Sequence, residues 1–151
     1  RCLKISEALT KAGLKAPVQP KIRDEIWVKL LGNAVFNPIS ALSKATLVAM
    51  ASDALAAPVV RAAMEEVATV ARVVGVEIPV SIDRRIRGAA RVGAHKTSML
   101  QDLEAGRPLE IDALVGSVVE LAQRQAIDVP HLQTLYACVK LLEAQRINGP
   151  G

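Results

Sequence analysis

The chain has 151 residues, 51% of them hydrophobic but only 2% aromatic, and a formal net charge of +4. That length suits one domain with a real core, the Ala-, Val- and Leu-rich composition favours packed helices over a β-sandwich, and the mild positive excess demands no polyanionic partner. No apolar run approaches the roughly 18 residues that span a bilayer, and Cys2 and Cys138, without metal or redox spacing, read as reduced thiols of a cytoplasmic protein.

Residues Cys2 to Ala12 form a short amphipathic helix with Gly13 as its C′ stop. The chain begins at Arg1 rather than Met, and Leu3, Ile5 and Leu9 look like the middle of an element already under way, as in a piece of a longer protein. Ala16-Pro17-Val18-Gln19-Pro20 is an extended connector, which makes residues 1–21 a helix and linker ahead of the main domain, 22–147. The tail, 148–151, reads as a disordered end.

The next helix is apolar nearly all round: Ile22, Ile26, Trp27, Val28, Leu30, Leu31, Ala34, Val35 and Phe36. Such a helix is expected to be buried. Pro38 cannot donate to the ladder and disfavours helical geometry at Asn37, so a kink or stop is expected there, with Ile39 and Leu42 resuming for a turn or two. Leu47 to Ala51 is a short apolar piece near a loop.

Pro58 suits the first turn of a helix reaching Val74, with Met64, Val67, Ala71 and Val74 inside and Gly75 as its cap. Ser81 is the candidate N-cap of a helix ending near Gly93, and Thr97 or Ser98 can cap a short one stopped by Gly106. A helix follows from Ile111 to Ala126, and Pro130 starts the last, to about Arg146. The fold class is all-α, about seven or eight helices in a bundle, with no repeat or strand-like alternation.

Lys29, Asn33 and Asn37 fall at i, i+4 and i+8, within roughly an 80° arc, so they make one polar stripe on the apolar helix. Unpaired polar groups buried there would cost roughly 1–3 kcal/mol each. The stripe must face either an internal hydrogen-bond network at a kinked helix or a ligand cleft, and these residues alone leave both open.

Other chemistry is sparse. Arg84, Arg85, Arg87, Arg91, His95 and Lys96 form the one basic cluster; without interleaved aromatics it reads as a solvated helix face rather than a nucleic-acid site. Ser98 has no partners to make it a nucleophile, and Glu110 sits where a helix dipole stabilises a carboxylate. Asp102 and Glu104 read as surface acids, and His95 and His131 lack metal-ligand spacing. No Gly-rich phosphate loop is present.

Two long segments together resemble the ketopantoate reductase (2-dehydropantoate 2-reductase) family. Trp27-Val28-Lys29-Leu30-Leu31-Gly32-Asn33-Ala34-Val35-Phe36-Asn37-Pro38-Ile39-Ser40-Ala41-Leu42 is similar to its W-x-K-L-x-x-N-x-x-x-N-P signature. Ser98-Met99-Leu100-Gln101-Asp102, continuing to Glu110-Ile111-Asp112, is similar to its second, S-M-x-Q-D-x-x-x-x-R-x-T-E-I-D, with Leu109 where Thr is usual.

The resemblance implies a two-domain enzyme: an N-terminal Rossmann domain that binds NADPH, and a helical domain like the C-terminal domain of 6-phosphogluconate dehydrogenase, to which this chain corresponds. It implies Lys29 as the general acid in reduction of a small 2-oxo acid, desolvated and sharing a cavity with Ser98 and Glu110. It implies Asn33 and Asn37 as residues holding substrate and cofactor, Ser98 as a substrate contact, and Glu110 as the acceptor for the substrate's hydroxyl end. A fragment of this kind would be inactive alone. A helical dimerisation or binding module that keeps the fold without the reaction is the alternative.

Overall fold

The computed structural model describes residues 1–148; the expected disordered tail lies almost wholly outside them. Eight α-helices and one π-helical segment are present among the described residues, and no strand. They are α1 (Cys2–Lys11), α2 (Ile22–Ser43), α3 (Leu47–Ser52), α4 (Ala56–Val73), α5 (Ile82–Val92), α6 (Ser98–Glu104), the π segment (Asp112–Gly116), α7 (Ser117–Arg124) and α8 (Pro130–Asn148). The all-α expectation holds. No helix among them is long and apolar enough to cross a membrane.

Helix α2 is the hub: it packs against α3, α4, α5, α6, α8 and the π segment. Its course differs from expectation in two ways. It does not stop at Pro38 but stays helical to Ser43, closed by Lys44 in left-handed geometry. A proline inside a helix costs about 3 kcal/mol or more, but here Val35, Phe36, Asn37, Pro38, Ser40 and Ala41 are all buried, and that packing holds the backbone helical. The first turns, by contrast, are not buried: Ile22 is 57% and Ile26 50% exposed. Apolar periodicity identifies a face that can be covered, not the element that covers it.

Helix α4 presents Val60, Ala63, Met64, Val67, Val70 and Ala71 to the core, all fully buried. The cap positions fall where expected: Gly75 and Gly106 sit at φ +82° and +72°, a conformation L side chains resist. Ser81 accepts from the Arg84 N–H at 3.2 Å.

The expected helix from Ile111 to Ala126 is divided, its first turn being π-helical. Ile111, Val115, Val118 and Ala122 are nonetheless buried. The wider turn sets Gly116 against the Tyr136 ring, where a Cβ would lie 3.0 Å from the nearest ring carbon. It also presents Asp112 to α8, where the Tyr136 hydroxyl donates to it at 2.5 Å and the Lys140 ammonium at 2.9 Å. The Tyr136 hydrogen bond, then Lys140, holds the Asp112 carboxyl below the usual aspartate range. A lowered folded-state pKa gives stability that is present above the unfolded value and lost as pH falls through the folded one. Asp112→Asn is therefore expected to flatten the acid limb of a stability–pH profile below about pH 4, read by denaturant titration.

Glu66, on α4, is a clamp. Its Oε1 accepts from the His131 N–H at 3.0 Å and contacts His131 Nδ1 at 2.6 Å, and its Oε2 accepts from the Leu132 N–H at 2.9 Å. A carboxylate satisfies the orphan amides at the start of α8 and meets the positive end of its dipole. Glu66→Ala should lower unfolding free energy by about 1–3 kcal/mol, measured by urea denaturation, whereas Glu65→Ala one residue earlier should change it little.

Candidate functional site

The second half of α2 brings the polar stripe into the protein. Asn37 is only 4% exposed, and its Nδ2 donates to the Ser98 hydroxyl across a long 3.5 Å contact. Helix α6 makes this pairing available. Thr97, not Ser98, is its N-cap: the Thr97 hydroxyl accepts from the Leu100 N–H at 3.3 Å. Thr97 is buried and Ser98 exposed, so one of two adjacent hydroxyls serves the backbone and the other is left for the site.

Around this pair opens a cleft of about 430 Å³, lined by Asn33, Asn37, Arg85, His95, Thr97 and Ser98 with an apolar floor that includes Phe36 and Ala89. That volume is in the range of small-molecule sites. No carboxylate lines it. Asn33 is half-buried, with no side-chain hydrogen-bond partner among the described residues.

Three of the five expected site residues, Asn33, Asn37 and Ser98, therefore share one cavity. Lys29 and Glu110 do not line it, and both are exposed. The expected desolvation of Lys29 is corrected on that point: Lys29 is exposed, and so are Ile22 and Ile26 before it, so among the described residues only the Trp27 side of this end of α2 is covered. Glu110 immediately precedes Ile111 and the π segment, which packs against α2. Leu109, the departure from the second signature, is buried, and its N–H donates to Glu143 at 2.9 Å; its position is a packing one.

Arg85 was missed. The basic cluster was expected on a solvated face, and Arg84, Arg87, Arg91, His95 and Lys96 are exposed as expected. Arg85 is half-buried, and its guanidinium lies on α2 at Gly32: a Cβ there would sit 2.1 Å from a terminal nitrogen and 2.5 Å from Cζ. The signal was in the sequence. Ile82, Arg85, Ile86 and Ala89 fall at i, i+3, i+4 and i+7, so Arg85 is on the inward face of α5, opposite a glycine in a helix interior that costs about 1 kcal/mol relative to alanine unless something approaches closely.

The family model for the C-terminal domain of ketopantoate reductase (PanE/ApbA) matches residues 21–143. A 2-dehydropantoate 2-reductase of Mesorhizobium japonicum is 49% identical over 142 residues, 94% of this chain and 44% of the relative. Among solved structures, 2-dehydropantoate 2-reductase from Methylococcus capsulatus superposes with a TM-score of 0.86 at 33% identity, covering 97% of this chain and 47% of that one. A PanE/ApbA family ketopantoate reductase from Ralstonia eutropha superposes at 0.90 with 29% identity, covering 97% and 49%. The chain spans about half the length of the relatives it matches. With the matched model extending over both signature segments and the cleft between them, the chain belongs to the ketopantoate reductase family, as its C-terminal domain.

Proposed function

We propose that this chain is the substrate-side domain of an NADPH-dependent 2-oxo acid reductase, reducing 2-dehydropantoate to pantoate. One observation carries the proposal: the Asn37–Ser98 contact, between residues 61 apart in sequence, joins the two signature segments across a single cleft.

The chain's own residues would divide the work as follows. Hydride addition to C2 of the keto acid builds negative charge on the carbonyl oxygen. The Lys29 ammonium stabilises that charge and gives up the proton that completes the alcohol, and solvent reprotonates the amine afterwards. Asn33, Asn37 and Ser98 supply donors and acceptors that orient the substrate, and Glu110 accepts from its hydroxyl end. A wrong substrate would leave those groups unpaired. Bound NADPH would supply the hydride. Among the described residues there is no strand–turn–helix to cradle its pyrophosphate, so a Rossmann domain would hold it, and Asn33, without a side-chain partner among those residues, is the group this chain would turn toward it.

The same second domain would complete the site. Leu3, Ile5, Leu9, Leu14, Val18, Ile22 and Ile26 are all exposed along α1, the connector and the start of α2. Ile5, Leu9, Val18 and Ile22 line one open apolar groove, and an exposed apolar run of that kind calls for a cover. Residues 1–21 as connector, with a Rossmann domain over this face, would desolvate Lys29 one turn from Asn33. The same run also favours a second reading, a homodimerisation module without the reaction. NADPH oxidation by the full-length polypeptide with 2-dehydropantoate separates the two. Turnover that disappears with the chain alone is expected; no turnover by the full-length protein with any 2-oxo acid would leave the module.

A further inference from the structure

We propose that Arg85 is the anchor for an oxyanion in the cleft, the carboxylate of the 2-oxo acid, and so sets the preference for an anionic substrate. The assignment of that anion as a substrate carboxylate rests on the reductase reading; the presence of an anion site does not.

The physical case begins with what Arg85 lacks. Its Nε is buried and has no hydrogen-bond partner, and no carboxylate pairs with its guanidinium among the described residues, although other arginines are paired: Arg61 with Asp83, Arg107 with Asp102, Arg124 with Glu120. A half-buried cation without a counter-ion is expensive. Burial pulls its pKa below the usual arginine range, yet a guanidinium stays charged at any physiological pH. The cost is therefore carried by the unliganded protein.

The surroundings fit an anion. The residues lining the cleft include Asn33, Asn37, Ser98, His95 and Arg85, and no acid. Arginine presents donors in a planar fork that matches a carboxylate. Gly32 holds the fork in place: its missing Cβ is the space the guanidinium occupies. Any side chain at that position would push the guanidinium away from α2.

A phosphate of the dinucleotide is the other source of the same chemistry, and the test separates the two. In the full-length enzyme, Arg85→Met should raise KM for 2-dehydropantoate about 10²-fold and leave KM for NADPH within about twofold. It should also erase the discrimination between the keto acid and its uncharged methyl ester, and Arg85→Lys should recover part of the loss. Gly32→Ala should reproduce the KM effect with the charge retained. Arg85→Met should melt no lower than wild type, because an unpaired desolvated cation has been removed; a residue with only a structural role would lower the melting temperature.

An unchanged KM for the keto acid overturns the proposal. A rise in the NADPH KM alone assigns the guanidinium to a phosphate and overturns the carboxylate assignment. A drop in melting temperature with both KM values raised makes Arg85 structural and also overturns it. If wild type turns over no 2-oxo acid, the reductase reading fails. Calorimetric titration with 2-dehydropantoate then decides separately: binding abolished by Arg85→Met supports the anchor, and binding equal in the two proteins, or absent from wild type, overturns it.

Discussion

Under the proposed function, Lys29→Ala is expected to lower kcat of the full-length protein by about 10²–10⁴-fold, the span for losing a positioned general acid. Two features make this a clean experiment. Lys29 is exposed and makes no ion pair among the described residues, so its truncation should change folding stability by no more than about 0.5 kcal/mol. Its role, if catalytic, is also distinct from that of Asn37 and Ser98, whose replacement should act more on KM. Steady-state kinetics with thermal melts on the same samples check both points. A fall in rate accompanied by a fall in melting temperature would mean that Lys29 supports the domain contact instead, and an unchanged rate would remove it from the chemistry.

Leu31→Ala should have the largest effect on the fold, about 2–5 kcal/mol. Leu31 is 1% exposed on the hub helix, where the surrounding helices leave little freedom to collapse into the space left behind. For a domain of this size each kcal/mol shifts the melting temperature by about 2–4 °C. Calorimetry on Leu31→Ala beside Leu30→Ala, whose side chain is only half-buried, should rank the two clearly. Equal shifts would mean that α2 is not the organising element.

The contrast between these residues shows how much could be read in advance. The helices, their glycine stops and the Asn33–Asn37 stripe were legible because period and capping are local properties. The cleft was foreseeable only as one of two explanations for that stripe. What covers each face is not local. Ile26 and Leu31 look alike in sequence, yet one faces outward and the other is central to the core. Glu66 reaches His131 and Leu132 across 65 and 66 residues, a pairing that no window of sequence contains. Arg85 was obscured by its neighbours: among several arginines, the one on the inward face is distinguished only by the isoleucines at helical spacing around it and the glycine it meets on α2.

The π turn at Asp112–Gly116 has an evolutionary corollary. Such a turn accommodates one residue more than an α-helix would. Losing a single residue there would restore ordinary helical winding and swing everything upstream by about 100° about the axis, leaving the buried side chains of α7 in place. Glu110 would then point elsewhere, but the buried Leu109 and Ile111 would turn with it, so the extra residue ties the aim of one carboxylate to the packing of its neighbours, and neither can drift alone.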